Sequence, residues 1–203
     1  QKRRGMFRMW NMVLIIVAFT LALLGMFINR GGPVPSVHSF AQSTMGWLFL
    51  FFMAFTLVGS MVAFLVRIKT LKSKERLDSA LSRESVFLAQ NVLFLIVALV
   101  TLWGTIFPIF SEAVEGTTVT VGPPFYNRVN GPLLLLLVLL MGVGPLLPWR
   151  KASVKNAVKT LRLPAGVGLV TGVALAISGI GQPVALAAYA ICAFVITGIV
   201  HEW

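Results

Sequence analysis

Charge is what this chain has least of. Only 11% of its 203 residues are Asp, Glu, Lys or Arg, and six of those are acidic; a soluble domain of ordinary composition carries about 25%. A single cysteine, Cys192, excludes an internal disulfide, a Cys-x-x-Cys redox pair and a Cys-x-x-Cys-His heme-attachment motif. His38 has no second histidine, no acid within ten residues and no cysteine near it, which argues against zinc held by local ligands. There is no nucleophile with a base beside it, no glycine loop to cradle phosphate and no carboxylate pair placed for acid–base work. Apart from Arg8 at the edge of the first, the long apolar runs contain no Asp, Glu, Lys or Arg, and no inverted repeat is visible. Both absences count against a pump or coupled transporter, although a transporter segment is one reading to weigh.

Apolar residues are abundant, at 58% of the chain. Runs of about 20 residues, the helical length that crosses a bilayer core, recur six times. They predict spans at 7–28, 45–66, 86–107 (stopping at Pro108), 132–149, 164–179 and 183–200. The expected fold is all-α: one polytopic transmembrane domain over 1–203 with about six transmembrane helices.

Basic residues set the expected topology. The net charge is +11. If loops alternate sides, the termini and the loops 67–85 and 149–163 share 15 Lys and Arg, against Arg30 and Arg128 on the other side. The positive-inside rule then places both termini and these two loops in the cytoplasm, with 29–44 and 110–132 as outward loops. The charge thus encodes topology and contact with anionic lipid, and it does not point to nucleic acid. Gln1 in place of an initial Met, with no signal-peptide pattern ahead of the first span, leads us to expect a processed, trimmed or partial chain.

Smaller signals refine this reading. Gly166, Gly168, Gly172 and Gly179, with Ala185, Ala187, Ala188 and Ala190, predict a closely packed hairpin of the last two spans. Gln90, Asn91, Thr101 and Thr105 are candidates for interhelical hydrogen bonds, and Ser82 with Glu84 for capping the third helix. Val154, Val158 and Leu161 share one face of a short segment whose other face carries Lys151, Lys155, Lys159 and Arg162, predicting a short helix on the anionic inner leaflet. Trp10, Trp47 and Trp149 sit at span ends, where indole favours the interface, and Cys192 reads as a small packing residue.

Chemistry is confined to the two outward loops. In "NRGGPVPSVHSFAQST", His38 is a solvated loop residue, a partner for Glu112 or Glu115, or one axial ligand of heme iron. In the second loop, "TTVTV" and then Pro123-Pro124 predict an extended, stiff backbone. It presents Phe125, Tyr126, Asn127 and Arg128 as a cover over helix ends or a surface for a protein partner or flat ligand.

Three long motifs in order, "SVHSFAQS", "SRESVFLAQN" and "LWGTIFPIFSEAVEGTTVTVGPPFYNRVNGP" followed by "MGVGPLLPWR", resemble the central part of the CcmF-type heme lyase family of cytochrome c maturation. The resemblance covers nearly the whole chain, to "IVHEW". It implies a multi-pass protein of the bacterial inner (plasma) membrane that takes heme from a membrane-anchored heme chaperone. It also implies thioether attachment to the Cys-x-x-Cys-His motif of apocytochrome c on the outer face, beside a thiol-handling subunit. His38 matches the family's outward heme-ligating histidine after a tryptophan-rich segment. That segment and the paired in-membrane histidines would lie in remaining parts of the same protein, so the chain alone is not expected to be active. His201 matches no family ligand, and Arg30-Gly31-Gly32 stands where the family has Arg-Ser-Gly. The rival readings are a non-catalytic scaffold of the maturation complex and a relative serving nitrite-reductase cytochromes.

Overall fold

The computed structural model describes residues 7–31, 45–72, 79–149 and 153–202. Six helices account for nearly all of them: α1 (Arg8–Gly31), α2 (Met45–Leu71), α3 (Arg83–Glu115), α4 (Pro123–Leu146), α5 (Val154–Ile177) and α6 (Pro183–Glu202). All six are long and apolar enough to cross a membrane, and no strand occurs among the described residues. The all-α, multi-pass reading therefore holds. Large side chains such as Phe51, Phe55 and Ile177 stand exposed on the helices, an arrangement suited to lipid tails as solvent. Threonines inside the spans close their hydroxyls locally: Thr20, Thr56, Thr101, Thr105, Thr171 and Thr197 each donate to the carbonyl four residues back. In hydrocarbon no water is present to take that proton.

The helices outrun the expected spans. α3 was expected to stop at Pro108, yet it continues to Glu115 and has 33 residues. At 1.5 Å per residue it is roughly 50 Å long, against a hydrocarbon core of roughly 30 Å. Its charged residues, Arg83, Glu84, Glu112 and Glu115, occupy only its ends. Gly116, at φ +68°, supplies the left-handed residue that ends it, and its N–H bonds the Glu112 carbonyl. α5 likewise starts at Val154 and passes through Pro164. The predicted surface helix is the opening turns of a spanning helix, and Val154 and Val158 are exposed while Ala157 is buried.

Two compact units are distinguishable. One holds α1, α2, the end of α3 and residues up to 119. In it α1 packs on α2, burying Leu23 and Ile28, and an apolar cleft lies between Val13, Val17, Leu21, Leu57, Met61 and Phe64. Ser111, almost fully buried, donates to the Pro108 carbonyl and accepts from the Val119 N–H, folding the chain after α3 back onto the helix end.

The other unit holds α3 up to Thr105 with α4, α5 and α6. Its helices approach through glycine. A Cβ on Gly168 would lie 2.7 Å from the Ala190 carbonyl oxygen, and one on Gly172 would lie 3.4 Å from Ala190 Cβ. Gly142 faces Val195 and Phe194, and Gly198 faces Leu146. The expected small-residue packing of the last two helices is thus present, and α4 joins it. The α5–α6 turn follows helix-end rules: Gly179 at φ +101° after α5, then Pro183 opening α6.

Candidate functional site

His38, the residue on which the heme reading turns, lies outside the described residues. Glu112 and Glu115, considered as its partners, are in the last turn of α3. Of the two histidines His201 alone is described; it is exposed in the last turn of α6. Among the described residues no group of three or more His, Cys, Asp or Glu side chains could hold a metal ion. The described residues do not test the heme ligand.

The second predicted site is described, and differently from expectation. Pro123 and Pro124 do not stiffen an extended strand; they form the first turn of α4, after Gly122 at the N-cap. A proline's missing N–H costs nothing where helix donors are unpaired in any case, and its fixed φ already suits the helix. The non-helical connection between α3 and α4 is only 116–122. The side chains expected to form a surface therefore project from successive positions of a helix, with Pro123, Pro124, Asn127 and Arg128 toward one side. Pro123, Pro124, Asn127 and Arg128 are exposed, whereas Phe125 and Tyr126 are half-buried and meet edge to face at 5.3 Å.

What fixes this helix start is a contact with α3. The Tyr126 ring lies over Gly104, where a Cβ would come within 2.5 Å of the phenol oxygen and 2.8 Å of Cζ. One turn on, Asn130 is buried and donates from Nδ2 to Thr101 Oγ1 at 3.1 Å. Thr101 in turn donates to the Val97 carbonyl, so the amide has an acceptor already oriented for it. Of the four polar residues expected to bond between helices, Thr101 does so, while Thr105 donates back to Thr101 within α3. Asn130 was not among them because "NRVNGP" read as loop. The signal was its spacing of four from Tyr126, which puts both on one helical face.

At the other end of α4 the sequence underrated Arg83. Its Nε donates to the Leu147 carbonyl at 2.9 Å and its Nη2 to the Pro145 carbonyl, while the guanidinium stands 5.1 Å from the centre of the Trp149 ring. Its backbone N–H bonds the Pro148 carbonyl, and Phe87 meets Trp149 edge on at 6.0 Å. A cation thus satisfies carbonyls that the end of α4 leaves open. Beside it Ser82 caps α3 as expected, accepting from the Ser85 N–H. The α3–α4 pair is pinned at both ends, by Tyr126 and Asn130 at one and by Arg83 at the other.

No protein-family model and no solved structure matches the chain. Curated proteins do. The chain is similar to the cytochrome c-type biogenesis protein ccl1 of Rhodobacter capsulatus, 34% identical over 99% of this chain and 31% of that protein. It is 39% identical to CcmF of Escherichia coli over 76% of this chain, and 37% identical to CcmF of Pseudomonas fluorescens over a similar share. The chain spans less than a third of the length of these relatives.

Proposed function

We infer that this chain, a homologue of one segment of the CcmF-type cytochrome c biogenesis proteins, serves cytochrome c maturation in the bacterial inner membrane as part of a heme lyase. The observation that carries the reading is similarity to ccl1 over 99% of the chain, across six apolar helices. When bound, heme would supply the iron for an imidazole to ligate and the vinyl groups to which apocytochrome thiols add. This chain's contribution is to hold and orient. His38, between α1 and α2, is the proposed axial imidazole on the outer face. The exposed Pro123, Pro124, Asn127 and Arg128, with the edges of Phe125 and Tyr126, form the proposed surface for apocytochrome c, the heme chaperone or the thiol-handling subunit.

The α3–α4 geometry gives that surface a rationale. A docking face works best when it is preorganised, and Tyr126 on Gly104 with Asn130 on Thr101 fixes the first two turns of α4. Neutral imidazole is the form that binds iron, so ligation by His38 weakens as pH falls below about 6.5.

The test is to express the protein within its native gene in a bacterium lacking its own maturation lyase. Covalently heme-stained c-type cytochromes are measured with His38 and with His38→Ala, together with the visible spectrum of the purified protein. Loss of cytochromes with a shifted Soret band supports the reading. Unchanged spectra and yields would falsify it and favour a scaffold role.

A further inference from the structure

Helix α5 has two faces of different chemistry. Its buried residues are Ala157, Pro164 and Gly168. At about 100° per residue, Lys155, Lys159, Arg162, Leu163, Gly166 and Val170 fall on the opposite stripe, and all six are exposed. Along that stripe the chemistry changes once, from three cations in the opening turns to apolar side chains beyond. α5 contains no acidic residue to offset the cations. A shallow open trough runs over Lys159, Arg162, Leu163, Gly166, Val167 and Val170 to Thr171, whose hydroxyl is closed on the Val167 carbonyl. Gly166 keeps it open, because nothing lies within 4 Å of where its Cβ would stand.

We propose that this stripe is a binding site for one anionic phospholipid, its phosphate on Lys155, Lys159 and Arg162 and an acyl chain along Gly166, Val167 and Val170. Charge complementarity selects the headgroup: a guanidinium forks onto phosphate oxygens, and two flexible ammonium groups can reach the same anion. The dimensions select a lipid over a free phosphate. From Lys159 to Val170 the helix rises roughly 16 Å, close to the roughly 15 Å half-thickness of a bilayer core, so charge and hydrocarbon are spaced as in one leaflet. The stripe also points away from the face that packs on the glycine contacts with α6. The site does not depend on the heme reading.

The protein, extracted with its surrounding lipid by a bilayer-solubilising polymer from membranes of phosphatidylethanolamine and phosphatidylglycerol, is analysed for retained lipid. We expect phosphatidylglycerol enriched over the bulk membrane, falling roughly fivefold for each cation neutralised and reaching the bulk ratio in Lys155→Gln/Lys159→Gln/Arg162→Gln. Gly166→Leu leaves every charge in place and fills the trough, so enrichment should fall there too. Arg67→Gln/Lys69→Gln, at the end of α2, should change nothing. Wild-type protein without enrichment overturns the proposal. So does an equal fall in the α2 variant, which reports general surface charge, or a second copy or acidic protein retained through the same cations.

Discussion

Replacing Gly168 with alanine adds one methyl group where α5 meets α6, and the structure fixes what that methyl meets. Its Cβ would stand 2.7 Å from the Ala190 carbonyl oxygen and 3.2 Å from Phe194 Cβ. The first is backbone, so no side chain can turn aside; the two helices must part, and the Gly172–Ala190 contact one turn on must loosen with them. Overpacking of this kind costs about 1–3 kcal/mol. Helix propensity acts in the opposite sense, because alanine is favoured over glycine by up to about 1 kcal/mol. Gly166→Ala measures that opposing effect alone, since its Cβ meets nothing within 4 Å. The quantity to read is therefore the difference between the two variants. We expect Gly168→Ala to be less stable than Gly166→Ala by about 2 kcal/mol, which corresponds to a midpoint lower by roughly 4–8 °C for a chain of this size. Thermal unfolding in one detergent, followed by circular dichroism, measures it; Cys192 on α6 is exposed, not packed as its size and setting suggested, and would not report the transition. Equal midpoints for the two variants would refute the contact and the small-residue account of this hairpin.

Arg83→Gln removes two charge-assisted bonds to the end of α4 and the stacking on Trp149, and should cost about 2 kcal/mol; Trp149→Leu should cost about 1 kcal/mol or less, both read by thermal unfolding. Asn130→Ala and Thr101→Val should each destabilise by about 1 kcal/mol, and the double variant should cost less than their sum by about 0.6 kcal/mol; strict additivity would deny the bond between them. Gly104→Val should displace Tyr126 and weaken capture of apocytochrome c by the α4 surface, while Gly131→Ala, which meets nothing within 4 Å, should not. A pH titration of the heme spectrum should show wild-type ligation weakening below about pH 6.5, with the imidazole-dependent step absent from His38→Ala.

The sequence by itself determined the class and the number of helices. Only helices and closed barrels satisfy backbone groups within hydrocarbon, and continuous apolar runs of about 20 residues have the length of helices and not of barrel strands. It also determined the last hairpin's small-residue packing and the Ser82 cap, because each depends on residues close in the chain. It misjudged where helices end. Pro108 read as the stop of one span and Pro164 as the start of another, yet α3 and α5 pass through them, as membrane helices allow when packing re-satisfies the freed groups. Pro123-Pro124 read as extended chain because the same fixed φ serves an extended segment and a first helical turn.

Only the tertiary structure decided which polar residues meet. Arg83 lies 62 and 64 residues from the carbonyls it binds, and Asn130 lies 29 from Thr101. Nothing in local spacing joins such pairs, since they become neighbours only after α3 and α4 pack. The same holds for glycine: Gly166 and Gly168 are equivalent in composition and two positions apart, and the packing of α6 alone makes one a contact and the other an open trough. Hydropathy says that a segment is a helix in a membrane, and the azimuth of its packed face says which residues that helix can use.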